Sequence, residues 1–191
     1  YFLRGFKNLM IDFARDDPHL PRLIEMLLEY ERKLVREWLN IGVDVMSFHT
    51  DIATQNGLMV SPAKFRRYIK PMFRELFLTC RNAGTHVSLS SDGRLLDIVD
   101  DLVECGVSVH DPQLRANTLE GIEKAYKGRM CINLDLDRQM FAFCRPEDIR
   151  DQVKEVVEKL HLPEGGLMVS GSVYGGNVPL DNIEALCAAL E

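Results

Sequence analysis

The sequence lacks most of the short motifs that announce common nucleotide, metal and nucleophile chemistries. Neither GxGxxG nor GxxxxGK[ST] occurs in its 191 residues, which argues against a dinucleotide or P-loop site. The five cysteines, Cys80, Cys105, Cys131, Cys144 and Cys187, are scattered, with no CxxC pair and no zinc ladder. That usage fits a reduced, cytoplasmic chain without a metal site. No GxSxG elbow surrounds Ser90 and Ser91, and no His has a place beside them, so a nucleophilic triad is not expected. No apolar run approaches the ~20 residues of a membrane span, and no signal-peptide pattern is present. A formal net charge of -6 argues against nucleic acid as a partner. The chain opens at Tyr1 rather than Met, and the expectation is a piece of a longer protein.

What is present is ordinary globular material, 46% hydrophobic and 27% charged, sufficient for one core. Tyr1 to Met10 shows no convincing period. After Pro21 an amphipathic helix is expected, with Leu23, Leu27, Tyr30, Leu34 and Trp38 on one stripe and Gly42 as its stop. A strand follows at Val43–Phe48, then a polar loop to Gly57. Ser61-Pro62 starts a helix that runs to about Ala83, with Pro71 expected to kink it. The most informative stretch is Val87-Ser-Leu-Ser-Ser-Asp-Gly-Arg94, a buried strand that ends in an acidic residue and a glycine before helical spacing resumes at Leu95. Further strands are expected at 107–111, 129–134 and 166–170, each followed by a helix. Strict alternation without a two-residue hairpin joining neighbouring strands predicts a parallel sheet, with strands apolar on both faces under covering helices.

In parallel α/β folds chemistry gathers at the carboxyl ends of the strands. Those ends present Thr50 and Asp51, then Ser90 to Asp92, His110 and Asp111, Asn133, Asp135 and Asp137, and Ser170 and Ser172. Crowded carboxylates raise one another's pKa and can hold a proton or a cationic group. Asp51, Asp92 and Asp135 are the candidate catalytic carboxylates; Asp92 also suits a helix cap. Asp111 and Asp137 are expected as turn residues. His49 and His110 stand at strand ends as acid–base candidates, although a lone His more commonly has a structural role.

Several motifs together resemble the uroporphyrinogen decarboxylase superfamily. These are Phe48-x-x-Asp51-x-x-Thr54-Gln55, Ser61-Pro62, Tyr68-x-Lys70-Pro71, Ser91-Asp92-Gly93, Asn133-Leu134-Asp135 and the ending Val178-Pro-Leu-Asp-Asn182-Ile183. The resemblance runs in register over residues 1–191. It implies a (β/α)8 barrel whose mouth takes a tetrapyrrole or a corrinoid-linked methyl group. About five strand–helix units make a partial TIM barrel, so 1–191 reads as the C-terminal part of one barrel domain. An unclosed barrel leaves two bare strand edges, which suggests either a longer chain or a homodimer.

The superfamily has two branches, and the sequence departs from both. The zinc-dependent methyltransferases carry His-x-Cys where Ser90-x-Asp92 stands, and a further Cys after the last strand, where none occurs. Zinc is therefore not expected. The decarboxylases carry an acidic residue and Gly, as at Asp92 and Gly93, but also a His near Val173 or Tyr174 that is absent. The leading expectation is cofactor-free decarboxylation of tetrapyrrole acetate side chains, as in porphyrin biosynthesis. Corrinoid-dependent methyl transfer, with a corrinoid protein as partner, is the alternative, and a non-catalytic binder of a tetrapyrrole or corrinoid protein is the third. Alongside the three carboxylates, Thr50, Gln55, Ser90, Gly93, Arg94, His110, Asn133, Ser172 and Tyr174 are the expected substrate-binding residues.

Overall fold

The computed structural model describes residues 2–173 and 176–191. Two helices come first. The shorter, α1 (Phe6–Arg15), forms where the sequence showed no period, because its apolar residues join a satellite cluster rather than the main core. Phe13 meets Tyr68 edge-on at 5.8 Å between ring centroids, and Leu20 closes the cluster. The longer, α2 (Leu20–Ile41), has Pro21 in its first turn and stops at Gly42 in the left-handed region (φ 85). The stripe picked out by spacing faces outward, for Leu27, Tyr30, Leu34 and Trp38 are all exposed. The buried side instead carries Leu28 and Val35, seven residues apart.

Strand β1 (Val45–His49) is followed by a small antiparallel hairpin, β2 (Ala53–Thr54) and β3 (Gly57–Leu58), within the stretch expected to be loop. Two-residue strands are too short to display a period-2 pattern. The next helix starts as expected, with Ser61 Oγ accepting the Lys64 N–H at 3.3 Å. It runs from α3 (Pro62–Lys64) through a π-helical stretch (Phe65–Ile69) into α4 (Lys70–Asn82). The widened turn, in which the Lys70 N–H reaches the Phe65 carbonyl, sits directly before Pro71. Proline supplies no N–H and crowds the preceding turn, and the π geometry accommodates both. Arg32 of α2 pairs with Glu75 of α4 and ties the two helices together.

The remaining units alternate: β4 (His86–Ser90), a 3₁₀ turn (Leu96–Ile98), α5 (Val99–Cys105), β5 (Val109–His110), α6 (Leu114–Asn117), α7 (Leu119–Tyr126), β6 (Cys131–Asp135), α8 (Pro146–Leu160), β7 (Leu167–Ser170) and α9 (Leu180–Leu190). The larger sheet has five parallel strands in the order β1-β4-β5-β6-β7, so each strand pairs with the next one of that sheet along the chain. That sequential order is the arc of a (β/α)8 barrel rather than a doubly wound sheet.

The strands alternate instead of being apolar on both faces, because helices cover only one side. Register places Met46, Val87, Leu89, His110, Ile132 and Leu134 in one set of rows, all buried. This outer face packs on α4, α5, α7 and α8 around Phe77, Leu102, Ile122 and Val156, none of which reaches solvent. Full burial of such side chains contributes roughly 1.5–3 kcal/mol each. The opposite, inner face carries Ser47 and His49, Ser88 and Ser90, Asn133 and Asp135, and Met168 and Ser170. It is the polar face, and it is open to solvent.

Candidate functional site

The site lies where the inner face meets the strand ends. Gly93 explains how the acidic loop after β4 is built. Its φ of +93 lies in the left-handed region, and a Cβ there would meet the Thr54 carbonyl oxygen at 2.6 Å. Only glycine lets this loop press against the β2–β3 hairpin. The Arg94 N–H then donates to the same Thr54 carbonyl at 2.8 Å. Regular helix begins only beyond Leu95, so the exposed Asp92 caps nothing and projects from the turn.

An open cavity of about 410 Å³ lies beside it. Ser90, Asp92 and Asp111 form one wall, Asn133, Asp135 and Arg138 the next, and Ser170 and Ser172 the last. Four successive strand ends thus contribute. Arg138 reaches Asp135 at 3.4 Å and Asp92 at 3.6 Å, so one guanidinium spans two carboxylates. Burial pushes the Asp135 carboxyl above the usual carboxylate range; Arg138 opposes this, while Asp92 and Asp111 add to it. Asp111 is pushed up as well, chiefly by burial, against the Ser90 hydroxyl and the Ser91 N–H that bond it at 2.6 and 3.2 Å. The arrangement offers a carboxyl held toward its protonated form next to an exposed carboxylate, with a fixed cation between them.

The cavity therefore gathers Asp92, Asp135, Ser90, Asn133 and Ser172 from the sequence candidates. Asp51 is exposed and outside the cavity, and its Oδ1 accepts the Asp92 N–H at 3.3 Å. That bond ties it to the Asp92 loop. Thr50 and Asp51 instead border a separate apolar cavity of about 380 Å³ between α1, α2 and the helix carrying Tyr68 and Phe73. Gln55, at the hairpin tip, bonds Gln113 at 2.8 Å. The side chain of Arg94 pairs with Asp97 at 3.5 Å, away from the cavity. His110 lies on the outer face, fully buried and stacked on Tyr126 at 5.5 Å, so it does not reach the mouth. A two-residue strand offers too little alternation to show which face its histidine takes. His49 is on the inner face at the end of β1. Tyr174 lies outside the described residues.

Sequence reasoning missed Arg138 and reduced Asp111 to a turn. Asp111 does precede Pro112, but its carboxylate gathers the β4 loop across a strand boundary. The motif Asp135-x-x-Arg138 held a signal, an i,i+3 acid–base pair directly after a strand. The cysteines lie away from these strand ends. Cys80 and Cys105 are buried in helices, and Cys131 starts β6. Among the described residues, no three His, Cys, Asp or Glu side chains converge as metal ligands. None of the described helices is long and apolar enough to cross a membrane.

No curated protein matches the chain. Among solved structures, a methyltransferase from Methanosarcina mazei superposes with a TM-score of 0.71 at 18% identity. The match covers 97% of this chain and 52% of that one, so the chain spans about half the length of the neighbour. At that identity the likeness speaks for the fold. The family model of uroporphyrinogen decarboxylase (URO-D) matches residues 1–191. The chain belongs to the uroporphyrinogen decarboxylase family.

Proposed function

We propose that this chain carries part of the active site of a decarboxylase that removes CO2 from acetate side chains of a tetrapyrrole without a cofactor. The observation that carries the reading is the pairing of Asp135, a carboxyl held toward protonation, with the exposed Asp92, both within reach of Arg138. The chemistry needs those two states. A proton delivered to a pyrrole α-carbon makes the ring an electron sink. The bond between the side-chain methylene and its carboxylate then breaks, its electron pair enters the ring, and CO2 departs. Protonation of the exocyclic methylene gives a methyl group, and loss of the α-proton restores the pyrrole. The net change is R–CH2–COO⁻ plus H⁺ to R–CH3 plus CO2.

Asp135 is assigned as the proton donor, since a half-buried carboxyl of raised pKa retains its proton closer to neutrality. Asp92 accepts the pyrrole N–H groups and stabilises the cationic ring. Arg138, Ser170, Ser172 and Asn133 are positioned to bind the substrate's peripheral carboxylates. Asp92→Asn in the native protein tests the assignment. The expected result is a fall in turnover of ~10²-fold or more, with porphyrinogen binding retained. Unchanged turnover refutes a catalytic role for Asp92. Binding without turnover in both proteins supports a non-catalytic binder instead.

Methyl transfer is the second reading, motivated by the methyltransferase that shares the fold. It requires a methylated corrinoid protein as partner and a thiol or pterin acceptor. The apolar cavity bordered by Thr50 and Asp51 supplies the kind of surface an apolar methyl donor needs.

A further inference from the structure

The side chain of Gln113 touches more of the site's framework than any candidate carboxylate, and nothing above gives it a role. It follows β5 and is nearly buried, at 9% exposure. Its Oε1 accepts two hydrogen bonds, from the Gly93 N–H at 3.0 Å and from Gln55 Nε2 at 2.8 Å. Two donors on one oxygen fix the amide's orientation, because a flipped amide would set its NH2 against the Gly93 N–H. The Nε2 end is thereby left to serve as a donor, and Gln113 and Asp135 line one small pocket together. The backbones agree: Gln113 and Asp135 form a parallel bridge, and the Asp135 N–H donates to the Pro112 carbonyl at 3.2 Å. Asn117 locks the base of the arrangement, donating to the Gly93 and Gln113 carbonyls at 2.9 and 3.0 Å and accepting the Leu95 N–H at 3.0 Å.

We propose that Gln113 is the positioning residue of this site, joining the hairpin tip, the Asp92 loop and Asp135 through one oriented amide. Its oxygen holds the Asp92–Gly93 turn and Gln55 in place. Its nitrogen donates toward Asp135 and favours the ionised carboxylate, so that Asp135 can both give up and recover a proton. The groups facing Asp135 come from four loops: Arg138 on its own, Asp92 after β4, Asp111 and Gln113 after β5, and Ser170 at the end of β7. His49, from β1, acts on Asp111. Among the uncharged residues of this set, Gln113 is the one whose side chain also holds the Asp92 loop.

The role of Asp135 as proton donor rests on the reading above, but the test does not depend on turnover. Carboxyl carbon NMR of the native protein follows the Asp135 midpoint directly. Gln113→Leu removes both donor and acceptor, and the midpoint is expected to rise, because a donor that favours the ionised carboxylate is lost. Gln113→Glu keeps an oxygen for Gly93 and Gln55 while replacing the donor by a negative charge. It therefore preserves the loop and raises the midpoint further. Asn117→Ala weakens the same loop without touching Asp135; stability falls and the midpoint stays. An Asp135 midpoint unmoved in both Gln113 variants, or moved equally by Asn117→Ala, overturns the proposal. Absence of decarboxylation alongside a displaced midpoint overturns the reaction but leaves the role of Gln113 standing.

Discussion

Acidification should weaken this fold through His110, and the size of the effect follows from its surroundings. The ring is fully buried, stacked on Tyr126, and neither ring nitrogen has a hydrogen-bond partner among the described residues. Burial lowers its pKa from 6.5 to about 4. The folded protein thus keeps His110 neutral at pH values where the unfolded chain has already protonated it. Above pH 6.5 the residue contributes no pH dependence. Between 6.5 and about 4 the unfolded state binds the extra proton, and stability falls by about 1.4 kcal/mol per pH. Below the folded value the loss levels off at about 3.4 kcal/mol, a large share of the roughly 5–15 kcal/mol that holds a domain together. Urea denaturation across this range measures it, with His110→Leu as reference so that the carboxylates shared by both proteins cancel. The gap between the two proteins should move by about 2.5 kcal/mol toward the variant from about pH 7.5 to about pH 4.5. Parallel stability curves would refute the reasoning, since they would mean that His110 takes its proton equally well in both states.

Two further outcomes follow from the site. Gly93→Ala forces a Cβ onto the Thr54 carbonyl oxygen in a left-handed backbone, and should cost about 3 kcal/mol or more in denaturant titrations; a loss below 1 kcal/mol would mean that the hairpin yields easily. Asp135→Asn should lower turnover by ~10²–10⁴-fold and yet raise stability at neutral pH by about 1 kcal/mol, because it removes a half-buried charge. The sign follows from burial: above the unfolded pKa the raised folded value makes ionised Asp135 a burden, and the burden grows as pH rises toward the folded value. A variant that loses both activity and stability would contradict that account.

Local signals made much of the architecture legible. The Ser61-Pro62 helix start and the glycine stop at Gly42 depend on residues a few positions apart, and each stands where the pattern put it. The turn at Ser91-Asp92-Gly93 was legible for the same reason. What the sequence hid is set by packing between distant segments. The α2 stripe reads as a buried face, but α4 packs on Leu28 and Val35 instead, leaving Trp38 outside. His110 and Asp111 exchange their expected importance because a one-residue step in a strand switches faces. That step turns the histidine into the core and brings the carboxylate to the β4 loop. Arg138 gains its place from two carboxylates, Asp92 and Asp135, that stand 43 positions apart in the chain and meet only when the β4 and β6 loops converge on one cavity.

The most direct test of the central claim is anaerobic incubation of the native protein with a porphyrinogen bearing acetate side chains, with CO2 and porphyrin products measured together. The account predicts one CO2 for each acetate converted to methyl, with the rate collapsing in Asp135→Asn. Recovery of unchanged porphyrinogen, while a methyl group passes from a corrinoid protein to a thiol, would contradict it.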